Sequence, residues 1–133
     1  MESKPNRIAG LALIRDASVL LVRKRGTVRF MLPGGKYEGR ESALACLGRE
    51  LAEELAVDTA ALRLARLGRF EAPAANEPGR TVISTVYRAA WLVERTPTPL
   101  AEIEEVRWHN LEDDGHHLAP LLRLHILPAL RRS

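Results

Sequence analysis

Gly35-Lys36-Tyr37-Glu38-Gly39-Arg40-Glu41-Ser42-Ala43-Leu44-Ala45-Cys46-Leu47-Gly48-Arg49-Glu50-Leu51-Ala52-Glu53-Glu54-Leu55-Ala56-Val57 is the stretch whose reading decides how this chain folds. From Ser42 to about Val57, Leu44, Leu47, Leu51 and Leu55 recur at three- and four-residue spacings, which predicts an amphipathic helix with Glu41-Ser42 near its start. At about 100° per residue, Glu50, Glu53 and Glu54 fall in one narrow arc beside that stripe. Like charges so placed weaken a helix by roughly 0.2–0.5 kcal/mol per pair, so the arrangement asks for a compensating cation. Carboxylate oxygens suit magnesium, which keeps several waters and shares its shell with substrate phosphates. For an arbitrary glutamate-rich helix, a merely solvated face is the better account; the residues around this one decide otherwise.

Upstream, Arg7 to Arg25 reads as two strands around Asp16-Ala17-Ser18, with Ile8, Leu11, Leu13 and Ile14 before the turn and Val19 to Val22 after it. A short extended stretch at Val28 to Leu32 leads to Pro33-Gly34-Gly35, which reads as a tight loop. Downstream, Leu62 to Ala72 and Thr81 to Val93 form a predicted hairpin across Pro73-Ala74-Ala75-Asn76-Glu77-Pro78-Gly79. A short strand is expected around Val106-Arg107-Trp108. A closing helix is expected over Leu118 to Leu130, its last turn limited by Pro128. Strands on either side of a central helix, with a second helix at the end, imply a mixed sheet covered on both faces.

The spacing resembles the Nudix box, a loop-helix-loop signature of 23 residues, met here at Gly35, Glu41, Arg49, Glu50, Leu51, Glu53, Glu54 and the aliphatic Val57. The departure is Ala56, where the family usually has glycine, which bears on the helix exit and not on the metal ligands. Phe30-Met31-Leu32-Pro33-Gly34-Gly35 looks like the family's entry to the box, and Glu105-Val106-Arg107-Trp108 like its late strand. The resemblance implies an α/β/α sandwich with a mixed β-sheet, and hydrolysis of a nucleoside diphosphate linked to another moiety with Mg2+ or Mn2+. By the same resemblance, Glu50, Glu53 and Glu54 hold metal, the Gly35 carbonyl completes the shell, and one of the glutamates serves as base. Glu41 and Arg49 pair to hold the loop against the helix. The family contains enzymes for nucleoside triphosphates and for ADP-ribose. Small size points to the former, and Pro73, lying 16 residues beyond Val57, to the latter. The rival reading is a Nudix-fold module that senses a nucleotide without cleaving it; retention of all three helix carboxylates favours the enzyme.

Outside the box, Glu102, Glu104 and Glu105 precede the Trp108 strand, where family members often place a further acid, and Glu102 and Glu105 are the candidates taken from that run. Arg23 and Arg25 are candidates for substrate phosphate. Asn76 and Glu77 make good turn chemistry as they stand. His116-His117 lack a third ligand at metal spacing, and Trp91 and Trp108 read as core or pocket wall.

With 133 residues, 46% of them apolar, the chain has the makings of a single domain over 1–133 that needs no disulfide or metal staple. The lone Cys46 has no cysteine partner, which removes disulfide and thiolate-metal readings. A net charge of +3 without aromatic-laced basic blocks argues against nucleic acid as a partner. No apolar run approaches membrane length, and the polar start lacks a signal peptide's apolar stretch, so a cytoplasmic address is expected. A homodimer is compatible with the composition.

Overall fold

The structure, a computed structural model, describes residues 4–115 and 117–133; Met1 to Ser3 of the polar start, and His116 of the histidine pair, lie outside the described residues. Strands β1 (Asn6–Arg15) and β2 (Ser18–Lys24) form the expected hairpin, with Ile14 opposite Val19 and Asp16 taking a positive φ of 53° in the turn. The stretch before the box makes only isolated bridges, Val22 to Met31 and Phe30 to Leu118.

Beyond it the backbone does not loop at Pro33-Gly34-Gly35 as the sequence suggests. Gly34–Lys36 is a short strand, β3, lying antiparallel to β1 with Gly34 opposite Gly10. Gly34 has φ 144°, and a Cβ there would sit 2.0 Å from the Ala9 carbonyl oxygen. The glycine serves close approach to β1, not chain reversal.

Helix α1 (Ala43–Leu55) is capped by the Ser42 hydroxyl, which accepts from the Ala45 N–H at 3.1 Å. Its exit is a left-handed residue, Ala56, at φ 54° and ψ 36°; the Ala56 N–H returns to the Ala52 carbonyl and the Val57 N–H to the Leu51 carbonyl. Alanine thus adopts the geometry that glycine would take without strain. Leu47, Leu51 and Leu55 are fully buried, but Leu44 is 48% exposed and Cys46 takes its place inside. The reason is β3, which packs along the Cys46 side of the helix and brings the Gly35 carbonyl 3.4 Å from Sγ, leaving Leu44 uncovered in the first turn.

A 3₁₀ turn at Thr59–Ala61, capped by Asp58, delays the next strand, so β4 runs Ala65–Pro73 instead of starting at Leu62. Strand β5 (Thr81–Ala90) returns antiparallel to it and stops short of Val93, because Trp91 turns inward and its indole N–H donates to the Arg95 carbonyl. Strand β6 (Ile103–Asn110), longer than the Trp108 segment expected, pairs antiparallel with β2. Because β5 pairs with β1 in parallel, the sheet is mixed, in the order β4-β5-β1-β2-β6 with β3 on β1.

Alternation along the strands divides the core. Ala9, Leu11, Leu13, Leu20 and Val22 pack with Cys46, Leu47, Leu51 and Leu55 of α1, whereas Ala12, Val19, Leu21 and Val86 pack with the carboxy-terminal helix through Leu122, Ile126, Leu127 and Leu130. This is the α/β/α sandwich. Pro128 does not limit the last turn of that final helix. The chain runs through a π-helical segment, Leu122–Ile126, into α2 (Leu127–Arg132), and the Leu127 N–H bonds the Leu122 carbonyl five residues back. A widened turn ahead of Pro128 accommodates a residue that has no N–H and whose ring crowds the preceding carbonyls. No helix of the described residues is long and apolar enough to cross a membrane.

Two substitutions test this packing in equilibrium denaturant titrations. Leu47→Ala is expected to cost about 2–5 kcal/mol and Leu44→Ala no more than about 0.5 kcal/mol. Ala56→Gly is expected to stabilise the chain by roughly 0.5–1 kcal/mol, by relieving the left-handed exit.

Candidate active site

Glu54 is the innermost of the box glutamates, 1% exposed, because it sits between Leu51 and Leu55 on the face of α1 that meets the sheet. Its Oε1 accepts the Gly34 N–H at 3.1 Å, while Oε2 is buried without a hydrogen-bond partner among the described residues. Burial, with the repulsion of Glu50 added and the Gly34 N–H opposing, pushes its pKa up to about 8. The Leu100 N–H closes on the Glu54 main-chain carbonyl at 2.8 Å, so the segment entering β6 is tied to the end of α1. That tie brings Glu102 to the cluster. One carboxylate oxygen from each of Glu50, Glu54 and Glu102 lies within 4.8 Å of the others.

Glu102 thus joins two of the box glutamates in this cluster, whereas Glu53 has a side chain 56% exposed and lies 3.7 Å from Arg49. Helical spacing puts Glu53 one residue outside the arc that dips toward the sheet. Glu102 lies 48 residues beyond Glu54, so no local pattern joins the two, although the acidic run Glu102 to Glu105 marked the region.

Arg49 is the hub of the loop. Its Nε and Nη2 hold both oxygens of Glu41 at 2.8 and 2.9 Å, Nη1 holds Glu50 at 2.8 Å, and Nη2 also reaches the Lys36 carbonyl at 2.9 Å. The fork geometry fixes Glu50 and the β3-α1 loop together. The Arg49 guanidinium, with the Glu38 N–H bond added, holds the Glu41 carboxyl down to about 2, and the Glu41 bond in turn holds the Arg49 proton more firmly than usual. Gly35 has a steric part: a Cβ there would come 2.5 Å from the Glu50 carboxyl carbon. Its carbonyl faces the Cys46 thiol, whose pKa burial raises to about 11.

Glu50, Glu102, Gly34 and Gly35 line a cleft of about 430 Å³. Its walls come from β1 (Asn6, Ile8), the β4-β5 tip (Pro73 to Glu77) and the final helix (Leu121, Leu122, Ile126). The tip is held by Glu77, which accepts from Asn6 at 3.1 Å and lies 3.7 Å from the Lys36 ammonium; the Asn6 bond and the nearby cations depress its pKa. Pro73, Asn76 and Glu77 are thus cleft residues as well as turn residues.

Arg23 and Arg25 are not. Arg23 bonds Glu105 at 3.3 Å and the Thr27 carbonyl at 2.9 Å, and Arg25 bonds Glu104 at 3.3 Å, which leaves Glu105 outside the carboxylate cluster too. The cleft receives Lys24 instead, a residue that the sequence reading passed over. The period of two that sends Leu20 and Val22 inward was the signal for it. Trp91 belongs to the core on the α1 face, and Trp108 packs against that core with Arg15 stacked 4.1 Å from its ring.

The donor set suits a hard divalent cation. Three carboxylates converge, and a buried carboxylate oxygen without a hydrogen bond is costly unless a cation meets it.

A family model described as NUDIX domain matches residues 4–129. A MutT NUDIX hydrolase from Burkholderia pseudomallei superposes with a TM-score of 0.75 at 25% identity, over 98% of this chain and 99% of that one. A MutT protein from Methanosarcina mazei Go1 superposes at 0.79 and 20% identity, over 99% and 98%. The NUDIX domain of Shewanella oneidensis NrtR, solved with ADP ribose, does so at 0.73 and 21%, over 98% and 88%. Among curated proteins, none matches the chain. A family match over nearly the whole chain, on a sandwich that brings Glu50 and Glu54 of the box together with Glu102, places this protein in the Nudix family.

Proposed function

We propose that this chain, as a single domain over residues 1–133, is a metal-dependent hydrolase that cleaves the diphosphate linkage of a nucleotide-type substrate. Nudix members are generally metal-dependent pyrophosphohydrolases, and the observation that carries the reading here is the orphaned Oε2 of buried Glu54 beside Glu50 and Glu102. These three side chains would hold Mg2+ or Mn2+. The ion would supply charge neutralisation on the diphosphate oxygens and a more acidic water. In the reaction a water oxygen bonds to phosphorus, the bridging P–O bond breaks, and the water's proton passes to a carboxylate of the cluster. Arg49 positions Glu50, and Glu41 positions Arg49.

The cleft favours a substrate with an apolar, flat end. Besides the carboxylates its lining includes Leu32, Val82, Leu121, Leu122 and Ile126, an apolar surface suited to a base. The ADP ribose held by the NrtR domain is one ligand of that form.

Release of phosphate, coupled through pyrophosphatase or phosphatase, is to be measured over nucleoside triphosphates, ADP-ribose, nucleotide sugars and dinucleoside polyphosphates, with magnesium and with chelator. Turnover of one group is expected with metal only, and Glu50→Gln is expected to lower kcat by about 100-fold or more. Binding of nucleotide without turnover of any member would move the reading to a sensor.

The raised pKa of Glu54 gives a further test without substrate. In the metal-free fold this carboxyl keeps its proton up to about pH 8, against an ordinary value of 4.5. Between those values the folded chain holds a proton that the unfolded chain has released. The associated stability is therefore fully present below the ordinary value and is lost as pH rises through the folded one. In chelator, the melting temperature is expected to fall by roughly 5 °C or more from about pH 5.5 to about pH 8.5, relative to Glu54→Gln. Added Mg2+ is expected to oppose the fall.

A further inference from the structure

Ser84 interrupts an apolar row. Along β5, Val82, Ser84 and Val86 share the side of the sheet that the final helix covers, and Val82 and Val86 pack there with Leu122, Ile126 and Leu127. Ser84 pairs with Ile8 of β1 on one side and with Phe70 of β4 on the other, a position interior to the sheet where this alternation calls for an aliphatic residue. The strand carries a hydroxyl there instead. Ser84 is 1% exposed, lines the cleft, and its side chain takes part in no hydrogen bond among the described residues. A buried hydroxyl without a partner is costly, so a group that arrives from the cleft and bonds it gains what the free fold forgoes.

Gly10 leaves that hydroxyl uncovered. It stands inside β1, where glycine weakens a strand, yet its own backbone does not demand glycine: φ is not positive, and a Cβ would meet only ordinary contacts, 3.5 Å from Ser84 Oγ and 3.6 Å from Leu32. A methyl at that point would stand against Oγ; without it, both residues line the cleft. The other buried polar side chain of the lining is already engaged, since Asn6 donates to Glu77 at 3.1 Å and accepts from Arg80 at 2.7 Å. No aromatic residue is among those that line the cleft, so a flat group seated against Leu32, Val82 and Leu122 is not held by stacking on a ring. Selection among flat groups then falls to the hydroxyl, which both donates and accepts.

We propose that Ser84 is a specificity-determining residue of this cleft: its hydroxyl hydrogen-bonds the polar edge of the substrate's base, and Gly10 leaves room for that edge to reach it. The substrate class that follows is a nucleotide whose base carries a carbonyl or amino group on the edge that enters the cleft, in preference to one with only ring carbon there. A site built to bond such a group rejects an analogue that lacks it, because its own polar atom is then left unpaired. The inference rests on the diphosphate-hydrolase reading above and adds to it the group that chooses among bases.

The test is kcat/KM with Mg2+ over the common ribonucleoside triphosphates and purine riboside triphosphate, whose base has no exocyclic group, together with calorimetric binding of the matching monophosphates. The unaltered chain is expected to separate the best base from purine riboside by about tenfold or more in both readouts, and Ser84→Ala to lower the best base by a similar factor while leaving purine riboside within about twofold. Gly10→Ala, which covers the hydroxyl, is expected to shift the ranking the same way, and both variants to bind Mn2+ alone as the unaltered chain does. Because no bond within the protein is lost, Ser84→Ala is expected to melt at or above the temperature of the unaltered chain. An unchanged ranking in Ser84→Ala, an equal loss for every base, or a melting temperature lower by roughly 5 °C or more overturns the proposal. Binding ranked by base and levelled in Ser84→Ala, without turnover of any triphosphate, overturns the hydrolase reading and upholds the role of Ser84; neither turnover nor binding of any nucleotide overturns both.

Discussion

Glu54 lies on α1 with its side chain all but withdrawn from water and with two other carboxylates at hand, an arrangement that a fold tolerates only with compensation. Part of the compensation is local: the Gly34 N–H takes one oxygen, which requires β3 to run tight against β1. A second part is proton uptake in the metal-free state, since burial pushes the carboxyl's pKa up to about 8. The third would be a divalent ion at the remaining oxygen, which no donor among the described residues reaches. The glycines of β3, the tie from Leu100 to the helix end and the position of Glu102 all follow from seating this one group.

Arg49 makes the neighbouring carboxylate dependable. Glu50 would otherwise be a flexible side chain near a repelling Glu54; bonded to Arg49, which is itself held by both oxygens of Glu41 and by the Lys36 carbonyl, it has little freedom. A carboxylate held in place beforehand would lose less entropy on taking a cation. The same guanidinium holds the loop and the ligand, so loosening the loop and losing the site are expected to be one event.

Much of this was legible in the sequence. Leucine spacing located α1, the box spacing named the family and the sandwich, and the Asp16 and Pro73 to Gly79 turns located both hairpins. What sequence missed depends on contacts between distant segments. Leu44 fits the apolar stripe, yet β3 covers the Cys46 side instead. Pro33-Gly34-Gly35 carries every sign of a turn, and only the 2.0 Å approach of a notional Cβ to Ala9 shows that the glycines serve strand packing. Pro128 ends helices in most settings, but here a π turn absorbs it because Leu127 and Leu130 are buried beyond it.

Lys24 shows the limit most clearly, since the arginines that flank it have the forked geometry the sequence favours and yet the lysine between them is the one that lines the cleft. Residue type alone favours Arg23 and Arg25, whose forked geometry suits phosphate. Strand alternation overrides type: the period of two that buries Leu20 and Val22 continues to Lys24, and the bulge at Glu104 supplies Arg25 with a partner while Glu105 occupies Arg23. The bulge therefore does two things at once. It neutralises the arginines on the outside of the sheet, and on the inside it sets Lys24 and Glu102 at the cleft, with Glu102 beside the buried carboxylate of α1.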